Sequence, residues 1–132
     1  MAKRVMVLGD GAIEVMHSLV ALGRFATAMV KDAMHAYAAK DEREAQQVWD
    51  RDRELDAMYT GLFRELITYM IEDPRRISSS THMLFIARGV ERIGDRATNI
   101  AEAVRYIVSG VPIEEERPKA DATKSMMVPT AS

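Results

Sequence analysis

Apolar side chains recur along most of this chain in alternating steps of three and four residues. This spacing puts them on one side of an α-helix, where they can face a core. Three such series follow one another, separated near residues 40 and 73–81 by polar residues and proline. The sequence therefore predicts three long amphipathic helices. Their predicted core-facing positions are Met16, Leu19, Gly23, Ala26, Val30, Ala33 and Tyr37 in the first helix, Ala45, Val48, Asp52, Leu55, Tyr59, Leu62, Leu66 and Tyr69 in the second, and Met83, Ala87, Val90, Gly94, Ala97, Ala101, Val104 and Val108 in the third.

Capping residues and proline mark the ends of the second helix. Asp41, followed three residues later by Glu44, has the spacing of a capping box, so a helix should start there. The same helix should stop before Asp73-Pro74, because the residue before a proline avoids the helical conformation.

The third helix has similar signals at both ends. Any residue of the segment Ser78–Thr81 could cap its start, and Gly110 followed by Pro112 marks its end. Outside the three helices the spacing is lost. We expect an irregular N-terminal lead-in over residues 1–11, a three-helix domain over residues 12–110 and a disordered C-terminal tail over residues 111–132.

Long helices joined by short turns define the expected fold. Each predicted helix has about 28 to 31 residues and is roughly 42–46 Å long at a rise of about 1.5 Å per residue. Such rods pack as an up-down-up antiparallel bundle, so the predicted fold class is all-α. A lone bundle of about 100 residues has much surface for its core, and Gly23 and Gly94 permit close approach of helices. We therefore expect self-association, with a homodimer completing the bundle.

Composition narrows the possible functions. The 132 residues include 18 basic and 20 acidic side chains and no cysteine. The net charge of −2 gives no general attraction to phosphates, so no nucleic-acid partner is expected. Without cysteine there is no disulfide, thiolate metal site or cysteine nucleophile. No uninterrupted apolar run approaches the roughly 18 residues that span a bilayer, and no signal-peptide pattern is present. We expect a cytoplasmic protein without membrane insertion.

Carboxylates interrupt the apolar series of the second helix. Asp52 occupies a core-facing position between Val48 and Leu55, and Asp56 follows one turn later. Burying an ionised carboxylate without compensation costs several kcal/mol. Either this side of the helix is hydrated, or a positive group compensates the charge.

A second acidic group lies on the third helix. Glu91 and Asp95 are one turn apart, and Asn99 and Glu102 continue the same stripe at about 100° per residue. Two carboxylates about 4 Å apart repel each other by roughly 4 kcal/mol at an effective dielectric constant of about 20. Protonation, neighbouring arginines or a bound cation would relieve this repulsion. Oxygen ligands suit hard or borderline cations such as Mg²⁺, Mn²⁺ or iron.

Two other interpretations stay open from the residues alone. The stripe could be a solvated face, neutralised by arginines, on a helical dimerisation module without bound metal. Alternatively, Glu14 and His17 have the Glu-x-x-His spacing of di-iron carboxylate bundles, which would indicate a di-metal oxidase assembled by dimerisation. Those sites need two such pairs, and this chain has one. No Ser-His-Asp set is recognisable, so no catalytic residue is predicted.

A longer motif resembles a known family. Residues 69–75 read YMIEDPR, and residues 84–102 read LFIARGVERIGDRATNIAE. Together with the preceding helix pattern, these stretches resemble PhoU, a family of bacterial phosphate-uptake regulators. The similarity runs from roughly Leu22 to Gly110 and matches the C-terminal repeat of the family.

The resemblance implies a fold and a site. Members are all-α proteins of two tandem three-helix repeats, each with an E(D)xxxD motif that contributes to metal clusters. Glu91 and Asp95 match that motif here, Asn99 is its companion on the next turn, and Asp52 and Asp56 match the acidic positions of the middle helix. The expected cofactor is a divalent or trivalent ion of iron, manganese, magnesium or zinc.

The resemblance also implies a function. The family regulates phosphate import and negatively controls the phosphate-starvation response, through contact with the ATPase-driven phosphate ABC transporter and its sensor histidine kinase. No catalytic activity is implied, so we do not expect an enzyme. Only one repeat is present, so we expect either a homodimer that rebuilds six helices or the C-terminal part of a longer protein.

Overall fold

Three long α-helices make up the computed structural model of the protein, which describes residues 2–110, with side chains described from residue 11 onward. Each helix contacts both of the others. Because the connections are short, the chain reverses direction twice and forms an up-down-up bundle. The all-α, three-helix prediction is confirmed. The elements are α1 (Ala2–Ala39), α2 (Glu42–Glu72), a 3-10 turn (Pro74–Arg76) and α3 (Ile77–Ser109).

The first helix is longer than predicted. It begins at Ala2, so the expectation of an irregular lead-in over residues 1–11 is corrected. Glycine disfavours a helix by about 1 kcal/mol relative to alanine, but tertiary contact favours glycine at one of these positions. A Cβ atom on Gly11 would lie 3.1 Å from Cε1 of Tyr69, so glycine leaves room for that ring. The predicted tail, residues 111–132, lies outside the described residues.

The start of α2 follows the predicted cap. The backbone N–H of Glu44 donates to Oδ1 of Asp41 at 3.1 Å. The carboxylate of Glu44 does not complete a reciprocal box but lies 2.6 Å from Nδ1 of His35 on α1. The cap therefore also ties the beginning of α2 to the end of α1.

The start of α3 differs from the prediction. The helix begins at Ile77, so the expected caps Ser78–Thr81 lie inside its first turns. Asp73 instead caps the preceding 3-10 turn, where Oδ1 accepts the backbone N–H of Arg75 at 3.0 Å. The turn then runs directly into α3. The predicted stop at Gly110 is confirmed, because this residue has a left-handed φ of 73° that glycine adopts without strain.

The predicted core positions are confirmed in α2 and in most of α3, but those of α1 are wrong at alternate places. Met16 and Tyr37 are exposed. The structure instead buries the residue before each of them, and likewise the residues before Gly23 and Val30, which were also predicted to face the core. The reason is that α1 has two adjacent apolar stripes, and only one of them faces α2 and α3. The buried neighbours are Val15, Leu22, Met29 and Ala36.

The apolar character of α1 bears on membrane insertion. The part Gly11–Ala39 is long and apolar enough to cross a bilayer by length and composition, with a mean hydropathy of 1.3 in a window that is only 22% buried. A core helix of a soluble protein passes the same test, so this finding is weak support for a span. The expected absence of membrane insertion stays a prediction.

Candidate metal centre

Close approach of α2 and α3 is the structural basis of the candidate site. A Cβ atom on Gly94 would overlap Cδ2 of Leu55 and lie 3.4 Å from its Cγ. Both residues are buried, so the leucine side chain fills the space that the glycine leaves open. The small residue therefore lets the backbone of α3 come close to α2, as the sequence suggested for a helix contact.

Three aspartates meet beside this contact. Asp52 and Asp56 lie one turn apart on α2 and are fully buried, and Asp95 follows Gly94 on α3 and is half-buried. One carboxylate oxygen of each lies within 4.8 Å of the others. We call these three residues the acidic cluster. The predicted acidic positions of the middle and last helices are thus brought together.

The donor set and spacing of the acidic cluster fit a hard cation. Two oxygens bound to one ion are separated by at most twice the bond length, which is about 4.2 Å for Mg²⁺ and up to about 5.2 Å for Ca²⁺. The spacing of at most 4.8 Å therefore requires little movement of the side chains. Two ionised carboxylates at that distance repel each other by roughly 3.5 kcal/mol at an effective dielectric constant of about 20. A bound cation would reverse the sign of this interaction.

The remaining predicted ligands, Glu91 and Asn99, are not part of the acidic cluster. Glu91 is fully buried, but its Oε1 accepts a hydrogen bond from Nη1 of Arg88 at 3.0 Å. Asn99 is exposed. Each step of four residues rotates a position by about 40° around a helix, so the stripe moves from the buried side at Glu91 to the solvent at Asn99. The ligand role of these two residues stays a prediction.

Two further contacts lie near the site. The Arg88–Glu91 pair has the i,i+3 spacing of helical ion pairs and agrees with the interpretation that arginines neutralise the stripe, although Glu91 is buried and not on the surface. The second contact was not anticipated. Nε1 of Trp49 on α2 donates to Oε1 of Glu102 on α3 at 3.3 Å. These residues are 53 positions apart in the chain, so no local pattern could indicate the contact.

The Glu-x-x-His pair has a different location. Glu14 and His17 are both exposed on α1, and neither belongs to the acidic cluster. Glu14 lines a groove between α1 and α2 together with Arg64 and Glu65. The acidic cluster contains no histidine. The arrangement thus lacks the mixed ligand set on which the oxidase interpretation depended.

Fold and site together define a class of protein: a helical bundle whose facing helices present inward carboxylates to one another. Comparison with known families then gives one specific match. The family model described as the PhoU domain matches residues 19–104, which is more than half of the chain. The chain belongs to the PhoU family.

Several bacterial proteins are similar to the chain. One from Rhizobium meliloti, named phosphate-specific transport system accessory protein PhoU homolog, is 44% identical over 95% of the chain and 54% of its own length. A protein of the same name from Xylella fastidiosa is 47% identical over 83% of the chain and 46% of its own length. The Escherichia coli protein, named phosphate-specific transport system accessory protein PhoU, is 45% identical over 70% of the chain and 39% of its own length.

The relatives are longer than this protein and are named as accessory proteins. The chain spans about half the length of the curated relatives it matches. Their names describe an accessory component and no enzyme. No solved structure gave a significant match.

Proposed function

We propose that this chain is a non-enzymatic regulator of phosphate transport that binds a metal ion at the acidic cluster. The observation that carries the proposal is the convergence of Asp52, Asp56 and Asp95 within 4.8 Å across two helices, in a chain that belongs to the PhoU family. Three buried or half-buried carboxylates are a costly arrangement unless a positive charge offsets them. A bound metal ion would supply such a charge at the point where the three side chains meet.

The proposed site uses the residues of both helices. Asp52, Asp56 and Asp95 would be the principal ligands, and Glu91, one turn before Asp95, would join them after release from Arg88. Asn99 would act from the rim of the site. Oxygen ligands of this kind suit iron, manganese or magnesium, with zinc as a further candidate. When bound, the ion would supply positive charge that holds α2 and α3 together.

The regulatory part of the proposal rests on the names of the relatives. An accessory protein of a phosphate-specific transport system acts on that system, so we assign this chain a contact with the phosphate ABC transporter ATPase. The second proposed contact, with the sensor histidine kinase, is what the family resemblance implies. The expected effect is negative control of the phosphate-starvation response. The proposal places the protein in the cytoplasm as a homodimer.

Metal content tests the site assignment directly. The parent chain, purified without chelator, should contain metal by elemental analysis, and the double variant Asp52→Asn/Asp95→Asn should not. Asp50→Asn is the matched control, because this exposed aspartate lies on the same helix two residues from Asp52. Equal metal content in the parent and the double variant would refute the site.

Thermal stability gives a second measurement. A ligand that binds only the folded state raises stability, by about 2.7 kcal/mol when its concentration is 100 times the Kd. The parent should therefore melt at a higher temperature with Mn²⁺ than with chelator, while the double variant should not respond. An unchanged melting temperature of the parent would favour the dimerisation module without bound metal.

The regulatory assignment needs a cellular test. A strain lacking this chain should express phosphate-starvation genes in phosphate-rich medium, and a plasmid copy should restore repression. The tagged chain should also co-purify with the transporter ATPase or the kinase. Normal repression in the deletion strain, with no capture of either protein, would refute the proposed regulatory role. It would not affect the proposed metal site, which the metal analysis tests independently.

A further inference from the structure

The buried glutamate beside the acidic cluster is paired with a cation of the chain itself. The side chain of Glu91 is fully buried, and its Oε1 accepts a hydrogen bond from Nη1 of Arg88 at 3.0 Å. The arginine side chain remains 40% exposed, so it reaches from the surface of α3 towards the interior to make this contact. A hydrogen bond between two charged groups is stronger than a neutral one. The guanidinium therefore supplies positive charge where a carboxylate has been removed from water.

Glu91 leaves α3 on the same side as Asp95 of the acidic cluster. Val90 and Gly94 are core-facing positions of α3. Glu91 and Asp95 are the residues that directly follow them. Residues four apart on a helix have Cβ atoms about 5–6 Å apart, and side chains tilt towards the N-terminus of their helix, which directs Asp95 towards Glu91. The two carboxylates are therefore neighbours along one edge of α3.

The direction of the helices places Glu91 at the Asp56 end of the acidic cluster. Gly94 lies opposite Leu55, because a Cβ atom on the glycine would overlap Cδ2 of that leucine. The two helices run antiparallel. A step from Gly94 back to Glu91 on α3 therefore corresponds to a step forward from Leu55 on α2. The next residue in that direction is Asp56. Glu91 is thus the carboxylate of α3 that an ion at Asp56 and Asp95 would reach next.

A metal ion and the guanidinium are unfavourable partners for the same carboxylate. An ion bound to Glu91 would place at least two positive charges within about 5 Å of the guanidinium, and like charges at that separation repel each other. The repulsion is weakly screened, because the carboxylate between them is fully buried. The ion pair must therefore open when the glutamate binds an ion.

We infer that Arg88 is an internal cation that competes with the metal ion for Glu91 and thereby sets the affinity of the site. This role rests on the proposed function, because it presupposes the metal site, and it adds a residue that regulates that site. Without an ion, the guanidinium stabilises the buried carboxylate. When an ion binds, Glu91 turns to it and Arg88 is released towards solvent, where 40% of its side chain already lies. Arg88 is thus a positioning residue, which acts on the ion through Glu91.

The size of the effect follows from the pair that is broken. A hydrogen bond between charged groups corresponds to a factor of about 10 to 100 in an equilibrium constant. The parent should therefore bind Mn²⁺ more weakly, by about that factor, than a chain without the competing charge. If Arg88 instead held Glu91 in place for the ion, its removal would weaken binding. The sign of the change separates competition from support.

Isothermal titration calorimetry of the whole chain with Mn²⁺ measures this sign. Arg88→Met keeps an unbranched apolar stem but removes the charge, and its Kd should be at least about tenfold lower than that of the parent. Arg92→Met is the matched control, because it removes the same charge from an exposed neighbour of Glu91. In about 0.15 M salt, screening should limit its effect to less than about threefold. Arg88→Lys, which retains a positive charge, should stay within about threefold of the parent.

A double-mutant cycle tests whether Arg88 acts through Glu91. Glu91→Gln removes the charge for which the two cations compete and leaves the three aspartates intact. In that background, Arg88→Met should change the Kd no more than Arg92→Met does. A tenfold effect that persists would mean that Arg88 acts on another group of the site, and would overturn the inference.

Urea unfolding provides an independent measurement. With chelator, Arg88→Met should be less stable than the parent, because the buried carboxylate loses its donor. With saturating Mn²⁺ the ion replaces the guanidinium, so the difference between parent and variant should disappear. If the variant is unfolded without metal, Mn²⁺ should restore its helical circular dichroism spectrum. A variant that is equally destabilised with and without Mn²⁺ would show that the pair is purely structural and overturn the inference.

Failure of the metal site and failure of the competition give different results. A parent that shows no Mn²⁺ binding in calorimetry would refute both. A parent that binds Mn²⁺, with Arg88→Met no tighter than Arg92→Met, would refute the competition alone and leave the acidic cluster as the site. Weaker binding by Arg88→Met would show that the arginine supports the site, which also refutes the competition.

Discussion

Replacing Gly94 by alanine should destabilise the protein although alanine is the better helix former. The substitution gains about 0.5–1 kcal/mol from helix propensity. The new methyl group would overlap Cδ2 of Leu55, which is fully buried and has no solvent space into which to rotate. Overpacking of a core in this way costs about 1–3 kcal/mol. We expect a net loss of roughly 1 kcal/mol, and at most about 2.5 kcal/mol, in the free energy of unfolding.

Gly61→Ala is the matched control for this substitution. It is also in the middle of a helix, but an added Cβ there meets no atom within 4 Å. This variant should gain about 0.5–1 kcal/mol, so the two alanine variants are expected to differ in sign. Combining Gly94→Ala with Leu55→Ala should be less harmful than the sum of the single changes, because the overlapping atom is removed.

The assay is urea unfolding followed by the fluorescence of Trp49, the only tryptophan in the sequence. Its indole N–H bridges α2 and α3, so its emission reports on the contact that Gly94 permits. Protein concentration must be equal for all variants, because association shifts apparent stability. Metal content should fall as well, since Asp95 would move away from its partners on α2. A Gly94→Ala variant as stable as Gly61→Ala would refute the steric explanation.

Three further predictions concern charged groups. The Glu44 carboxylate raises the pKa of His35 above 6.5. The His35–Glu44 pair should therefore stabilise the folded state fully below pH 6.5, lose this effect as pH rises through the raised pKa, and have no such effect in Glu44→Gln. An NMR titration in which His35 keeps its usual pKa would contradict this prediction. The Arg75 guanidinium and backbone N–H lower the pKa of Asp73 below 3.8, so that stabilisation is present above pH 3.8 and is lost as pH falls through the lowered value. Arg75→Ala should raise the titration midpoint of Asp73 measured by NMR, and an unchanged midpoint would exclude the pair as its cause. Arg88→Ala should cost about 1–3 kcal/mol in urea unfolding, because a fully buried glutamate loses a charged hydrogen-bond donor; unchanged stability would show that other contacts satisfy that carboxylate.

The acidic residues illustrate how far a linear pattern can be trusted. Asp52 was recognisable because a carboxylate stood where the apolar spacing required a core residue, and it is fully buried. Glu91 and Asn99 had the correct spacing on the same helix, but the first pairs with Arg88 and the second is exposed. Spacing along one helix defines a stripe, whereas a site also requires a facing helix. In this protein the facing helix is α2, and packing against it selects which members of the stripe lie close to its aspartates.

The sequence alone determined the number and type of the helices and the ends that Asp41 and Gly110 mark, because helical periodicity and caps act through neighbours in the chain. It did not determine the starts of α1 and α3. Tertiary structure decided which side of α1 is buried. This helix has two apolar stripes one residue apart, both with helical spacing, and only packing against α2 and α3 selects between them. The buried stripe contains Leu22 and Met29, and the other leaves Met16 and Tyr37 exposed. The convergence of three aspartates likewise depends on helix contact, since the free energy that places them together arises between helices and not within one.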